Sequence, residues 1–440
     1  MASPPAHAST LRALSRALRH RNYRLFFAGQ SVSLVGTWLT RVATSWLVYR
    51  LTNSALVLGL VGFAGQIPTF LLAPLAGVWV DRINRHRALV ATQVLAMVQS
   101  ALLAAFTLTH SISVGIVIAL QVFQGVINAV DMPARQAFVV EMIEDRRDLP
   151  NAIALNSSMV NAARLLGPSL AGVLIATVGE GLCFALDAAS YIAVVLSLVM
   201  MKVAPRGRPD RRSNMLTDLT EGYRYVAQSV PIRSVLLLLA LVSLTGMPYT
   251  VLMPAVAREV LRGGAGTLGV LMAASGFGAL AGALYLASRE TVLGLGRIIG
   301  FCAAAFGVGL VALSLSREFW LSLLLMAPTG MAAMVQMAAS NTVLQTVVDE
   351  DKRGRVMSFY AMAFFGMTPI GSLLAGVVAD RYGAATAIGA GGVACIAGAA
   401  AFMRALPAVR QAARPIYVKL GILPENVGSI PPPLTVPPDG

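Results

Sequence analysis

Four ionisable residues, Arg41, Asp131, Arg164 and Asp187, stand inside stretches that are otherwise apolar. In a membrane helix each such charge costs roughly 2.5–3.5 kcal/mol at the bilayer centre, so it must find a partner or a wet cavity. Polar neighbours extend these points into stripes. Gln121, Gln124, Asn128 and Asp131 recur at steps of three, four and three, which places them on one helix face. Gln30, Ser33, Thr37, Arg41 and Thr44 do the same in another stretch, and Ser157, Asn161 and Arg164 in a third. The chemistry on offer is the binding of a solute and the carriage of a proton. Asp187 is a plausible counter-ion for Arg41 or Arg164 and a secondary candidate for protonation. Tyr249, Met331, Met334, Gln336 and Met337 either line an adaptable cavity or simply pack.

Bond-making chemistry is not expected. No His or carboxylate cluster has catalytic spacing. Cys183, Cys302 and Cys395 stand singly and the four histidines are scattered, so neither a disulfide framework nor a metal site is indicated. No Gly-x-x-x-x-Gly-Lys-Ser loop occurs. The chain reads as a non-enzyme without cofactor or metal.

The elements that position these residues are membrane helices. The chain is 57% hydrophobic and 12% charged, about half the charge of a soluble chain. Twelve apolar runs of about 20 residues, from 24–49 through 113–134, 154–178 and 181–201 to 384–406, predict an all-α protein with about twelve transmembrane spans. The net charge of +14 is a topology signal rather than a nucleic-acid footprint. Alternate assignment puts about 27 Lys and Arg on one side and about 5 on the other (Arg50, Arg258, Arg262, Arg317 and Arg381), which predicts that the N-terminus, central loop and C-terminus are cytoplasmic. The first run is too long for a signal-peptide core.

The expected organisation is an N-terminal arm over 1–23, a six-helix half over 24–201, a central loop over 202–233, a second half over 234–406 and a proline-rich disordered tail over 407–440. The loop carries Leu216, Leu219, Tyr223 and Val226 at helical spacing, so a surface helix is expected there. The two halves form a weak repeat. Gly167-Pro168-Ser169-Leu170-Ala171-Gly172 aligns with Gly371-Ser372-Leu373-Leu374-Ala375-Gly376 at an offset of roughly 204, where Asp145 also meets Asp349. Such duplicated bundles hold substrate at the midplane between halves.

After the second span the chain reads Gly77-Val78-Trp79-Val80-Asp81-Arg82-Ile83-Asn84-Arg85-His86-Arg87. This resembles the loop signature of the major facilitator superfamily, with Asn84 where glycine is usual. The resemblance implies a cytoplasmic latch. Asp81, with Arg82, faces the N-terminus of the eleventh span near Gly354 and Ser358, and Arg85 reaches an acidic group on the fourth span, Asp131 being the candidate. Gln124-Gly125 matches the family's fourth span, but Gln121 replaces its usual arginine. Gly167-Pro168 with Ala171-Gly172 resembles the export signature of proton-coupled antiporters, whose physical content is close packing and a proline bend. Pro133-Ala134-Arg135-Gln136-Ala137-Phe138 and 149–157, with Arg353-Gly354-Arg355-Val356-Met357-Ser358 in the second half, look like the enterobactin-exporter-like, transmembrane secretion effector branch. Asp187 stands where relatives often carry asparagine.

The resemblance implies a proton-coupled, secondary active exporter of an amphipathic drug or siderophore-like compound, a monomeric multi-pass antiporter of the bacterial cytoplasmic (inner) membrane. Its partners are the small-molecule substrate, protons and the bilayer. Import or lipid movement on the same fold, and a non-transporting receptor or scaffold, are the alternatives.

Overall fold

The computed structural model describes residues 16–202, 215–289, 291–349, 352–420 and 422, and within these the side chains of 73, 74, 77, 78, 81, 82, 146, 215–219 and 222 are not described. Among the described residues, thirteen helices follow a single turn of 3-10 helix (Arg16–Arg19). They are α1 (Arg21–Thr52), α2 (Ala55–Arg82), α3 (Arg85–Leu108), α4 (Val114–Met142), α5 (Leu149–Val178), α6 (Glu180–Val199), α7 (Met215–Gln228), α8 (Val230–Val260), α9 (Ala265–Ala287), α10 (Leu295–Leu315), α11 (Phe319–Val347), α12 (Arg353–Tyr382) and α13 (Ala384–Lys419).

Eleven of these are long and apolar enough to cross a bilayer. The exception besides the short α7 is α1. Its 32 residues reach about 48 Å, ample for a core about 30 Å thick. It is less hydropathic because Gln30, Ser33, Thr37, Thr40, Arg41, Thr44 and Ser45 all face a central cavity. Lipid never meets that face, so apolarity is not required of it. α1 packs along α5 and α6 and makes the twelfth spanning helix.

The same packing scheme occurs twice. Among the first six helices, α1 packs on α5 and α6, α2 on α4, and α3 on α4 and α6. Among the last six, α8 packs on α12 and α13, α9 on α11, and α10 on α11 and α13. Two further seams, α5 on α9 and α2 on α12, join the sets and are themselves related by the repeat. Each seam is a backbone contact. A Cβ on Gly172 would stand 2.8 Å from Gly269 Cα, and one on Gly376 3.0 Å from Gly59 Cα. Small residues are what let membrane helices approach this closely. The register agrees down to the linking residue: Gly179 between α5 and α6 has φ +84°, and Gly383 between α12 and α13 has φ +87°, a region that suits glycine.

Two helices are broken by π-turns, at Val256–Val260 in α8 and Met362–Gly366 in α12. In α8 the regular helix stops at Thr245 and resumes at Tyr249, after Gly246 and Pro248. Such interruptions are common at functional positions. The boundary expected at 407 is displaced. α13 runs through Pro407 and Pro415 to Lys419 because Phe402, Leu406, Val409 and Ala413 continue a buried stripe at steps of three and four. The proline-rich stretch 423–440 and the arm residues 1–15 lie outside the described residues, as do 203–214 of the central loop.

The side of the bundle where α1 begins and α13 ends is called the arm side here. There Asp148, at the start of α5, accepts from His20 Nε2 at 2.9 Å and pairs with Arg19 at 2.7 Å. Tyr23 Oη donates to the Ala152 carbonyl at 2.7 Å. The His20 hydrogen bond and the Arg19 charge hold the Asp148 carboxyl below the usual carboxylate range, against the opposing effect of burial. A depressed carboxyl stabilises the fold above its unfolded pKa, and that contribution disappears as pH falls through the folded value. Asp148→Asn is therefore expected to lower the thermal midpoint of purified protein at pH 7. The difference from wild type should vanish below the normal aspartate range, and a constant difference at every pH would contradict this.

Candidate functional site

The twelve spanning helices enclose a polar cavity at their centre, of about 710 Å3. That is the size of drug-binding sites, roughly 300–1,000 Å3. It runs from the level of Ser45 and Leu58 to Arg135, Gln136 and Asn156 near the arm side. On the far side it is closed by contacts between the two helix sets. The Tyr49 hydroxyl at the end of α1 donates to the Glu259 carboxylate in the π-turn of α8, and Ser54 Oγ donates to Asp380 at 2.9 Å. Arg50 clasps Glu180 beside them, at 2.8 and 3.2 Å.

The polar face of α4 lines this cavity with Gln121, Gln124, Asn128 and the buried Asp131. Gln124 donates to Asn128 at 3.0 Å. Gln30 and Arg41 of α1 and Arg164 of α5 also line it. The partner expected for Asp131 is different. Its carboxylate pairs with Arg135, one turn along the same helix, and accepts from Thr92 Oγ1 at 2.8 Å and Gln93 Nε2 at 2.7 Å. Arg85 instead reaches Glu141, also on α4, at 2.6 Å. The reason is position: Glu141 sits nearly three turns closer to the arm-side end of α4, where α3 begins. The side chains of Asp81 and Arg82 lie outside the described part of the chain, and Gly77 is placed only as a residue of α2. At the proposed other face of the latch, Ser358 Oγ donates to the Gly354 carbonyl at 3.0 Å.

Asp187 is not a counter-ion for Arg41 or Arg164. It lies against α3, accepts from Ser100 Oγ at 2.8 Å and is 1% exposed. Among the described residues it makes no ion pair. Arg41 and Arg164 instead share Trp38, their guanidinium carbons lying 4.7 and 5.7 Å from its ring centroid. Asn161 does not reach the cavity. α5 presents Asn156, Val160, Arg164 and Pro168, a row at steps of four. Asn161 is one residue off that row and donates to the Ser157 carbonyl at 2.9 Å. In the second set Tyr249, Met334 and Met337 line the cavity, whereas Gln336 is buried against Ser340 and Met331 packs beneath Gly278 and Gly282.

The export-signature residues act as spacers. A Cβ on Gly167 would fall 2.3 Å from Trp38 Cβ, so its absence lets α5 close on α1 at Trp38. Gly172 makes the α5–α9 seam and Pro168 lines the cavity. Sequence reasoning passed over Trp38 and the α3 residues Thr92, Gln93 and Ser100, and it named Arg135 without giving it a role. A signal existed for the last group, since 92, 93, 99 and 100 are polar positions inside an apolar run.

Helix count, repeat and central cavity together define a membrane transporter of the major facilitator type. The profile of the transmembrane secretion effector family matches residues 13–417, and the chain belongs to that family. It is 25% identical over 361 residues to the staphyloferrin A transporter of Staphylococcus aureus, covering 82% of this chain and 90% of that one. It is 27% identical over 367 residues to the multidrug efflux pump Tap of Mycolicibacterium fortuitum, covering 79% and 87%. A bacterial homologue of the human lysosomal transporter Spinster, solved inward-facing and unoccupied, superposes with a TM-score of 0.68 at 14% identity over 90% of this chain and 98% of that one. The protein is thus a multi-pass membrane protein of a transporter family, not an enzyme.

Proposed function

We propose that this chain is a proton-coupled exporter of amphipathic organic compounds that works by alternating access. The observation that carries the reading is the asymmetry of the central cavity. It reaches the arm side and is closed on the far side by contacts between the two helix sets, Tyr49 to Glu259 and Ser54 to Asp380. Rocking one set against the other across the glycine seams would break those contacts and carry bound solute outward. In this reading 24–201 and 234–406 are the moving units, and one chain suffices. The basic arm side faces the cytoplasm of a bacterial inner membrane. Export is favoured over import because one relative is named a multidrug efflux pump.

Asp187 is the proposed proton carrier. It is buried without a counter-ion among the described residues, so protonation is the ready way to neutralise it. Asp131 is less suited because Arg135 already compensates it. Asp81 and Arg82 serve as the cytoplasmic latch of the outward-open state, with Arg85 held by Glu141.

The experiment is proton movement in everted membrane vesicles energised to acidify their lumen and reported by a pH-quenched dye. Adding amphipathic probes of either charge should reverse the quench for at least one of them, and only when the protein is present. No reversal by any probe, at verified expression, would remove proton coupling. Asp81→Asn is expected to slow this response severalfold at equal expression, and an unchanged rate would remove the latch.

A further inference from the structure

The cavity lining carries three arginines and two aspartates and no lysine, glutamate or histidine. Asp131 and Arg135 neutralise each other, and Asp187 is turned toward the hydroxyl of Ser100. Arg41 and Arg164 are left with no carboxylate among the described residues. Both lean on Trp38. A ring face offsets only about 0.5–2 kcal/mol per cation, while the two like charges repel each other. The Arg164 Nε is buried without a hydrogen-bond partner, and Nη1 meets only the Met334 sulfur at 3.9 Å, a weak acceptor. The arrangement is built rather than incidental, since a side chain on Gly167 would keep α5 from closing on Trp38.

We infer that Arg41, Trp38 and Arg164 form an anion site, and that the transported compound joins a carboxylate or similar oxyanion to an apolar or aromatic body. This rests on the transporter reading above and narrows it. A guanidinium fork supplies paired charge-assisted donors to an oxyanion. The apolar body would lie against Met334, which meets Arg164, and against Met337, Tyr249 and Phe364, which line the same cavity. A cationic compound meets uncompensated positive charge there.

Three probes with one fluorophore and different charge test this on purified full-length protein: dansylglycine (anion), dansylamide (neutral) and dansylcadaverine (cation), read by energy transfer from tryptophan. Dansylglycine is expected to bind at least about tenfold more tightly than dansylamide, the equivalent of one charge-assisted bond, and dansylcadaverine most weakly. In Arg164→Gln and Arg41→Gln the preference of dansylglycine over dansylamide should shrink toward unity with dansylamide binding retained, and Arg164→Lys should restore part of it. Equal binding of the three probes, or tightest binding of the cation, would overturn the inference, and the wild-type ranking alone decides if a variant does not fold. The outcomes separate the two readings. Proton movement driven only by the cation removes the anion site and leaves export standing. Preferential dansylglycine binding with no proton movement by any probe removes the proton coupling of the export reading and leaves the anion site standing.

Discussion

Asp187→Asn is expected to abolish gradient-driven transport while leaving probe binding and exchange down a probe's own gradient intact. Asn keeps the shape and the hydrogen bond from Ser100 but cannot take up and release a proton. The wild-type carboxyl is 1% exposed, one oxygen is served by Ser100 and the other has no aligned donor. A buried carboxylate so served is costly when ionised, because buried polar atoms want partners, and protonation removes the charge without moving the helix. Coupling requires that the two protonation states favour different orientations of the bundle. Fixing one state fixes one side of the equilibrium. Measured in reconstituted vesicles, transport against a gradient should fall to the background of protein-free vesicles. Asp131→Asn is expected to do less, since Thr92 and Gln93 can still donate to the remaining oxygen. Wild-type gradient-driven rates in Asp187→Asn would move the proton site elsewhere.

Gly172→Leu is expected to be the most damaging change that adds no charge. A Cβ alone would stand 2.8 Å from Gly269 Cα and 3.1 Å from the Ala265 carbonyl. Backbone cannot yield as a side chain can, and overpacking already costs about 1–3 kcal/mol in softer places. The added side chain must push α5 off α9 and part the two helix sets along one seam. Gly376→Leu should do the same at the repeat-related seam, against Gly59 and the Ala55 carbonyl at 2.9 Å. The readout is a cysteine placed in the cavity by Thr250→Cys and labelled with an impermeant maleimide from the far side. Labelling should rise and transport should be lost in both variants at near-normal membrane levels. Unchanged labelling with unchanged transport would show that the seams are not what keeps the far side shut.

The spanning helices were legible because apolar length is set by bilayer thickness and needs no knowledge of partners. α1 shows the limit of that signal. Hydropathy counts Gln30, Thr37 and Arg41 against a span, yet these residues never meet lipid. The polar stripe of α4 was read correctly as one face because helix geometry alone fixes it. Partners were harder, because they depend on where helices cross. Arg85 meets Glu141 and not Asp131 on account of axial position along α4, which spacing within one helix does not reveal. Asn161 and Arg164 share a broad face by sequence, but the packed bundle exposes only a narrow row. Trp38 went unread because an aromatic residue in an apolar run scores as core. Only the paired arginines and Gly167 give its ring a role. The α13 extension past Pro407 was hidden by the prolines, while the buried stripe that sustains it was present in the letters all along.

The most direct test of transport by this chain is accumulation in proteoliposomes of the purified protein. An inward-acid pH gradient is imposed, and the dansyl probe that binds best is added outside. The account predicts uptake above equilibrium only while the gradient lasts, reversed when nigericin collapses it and absent in Asp187→Asn. Uptake of the same size with and without the gradient would contradict it.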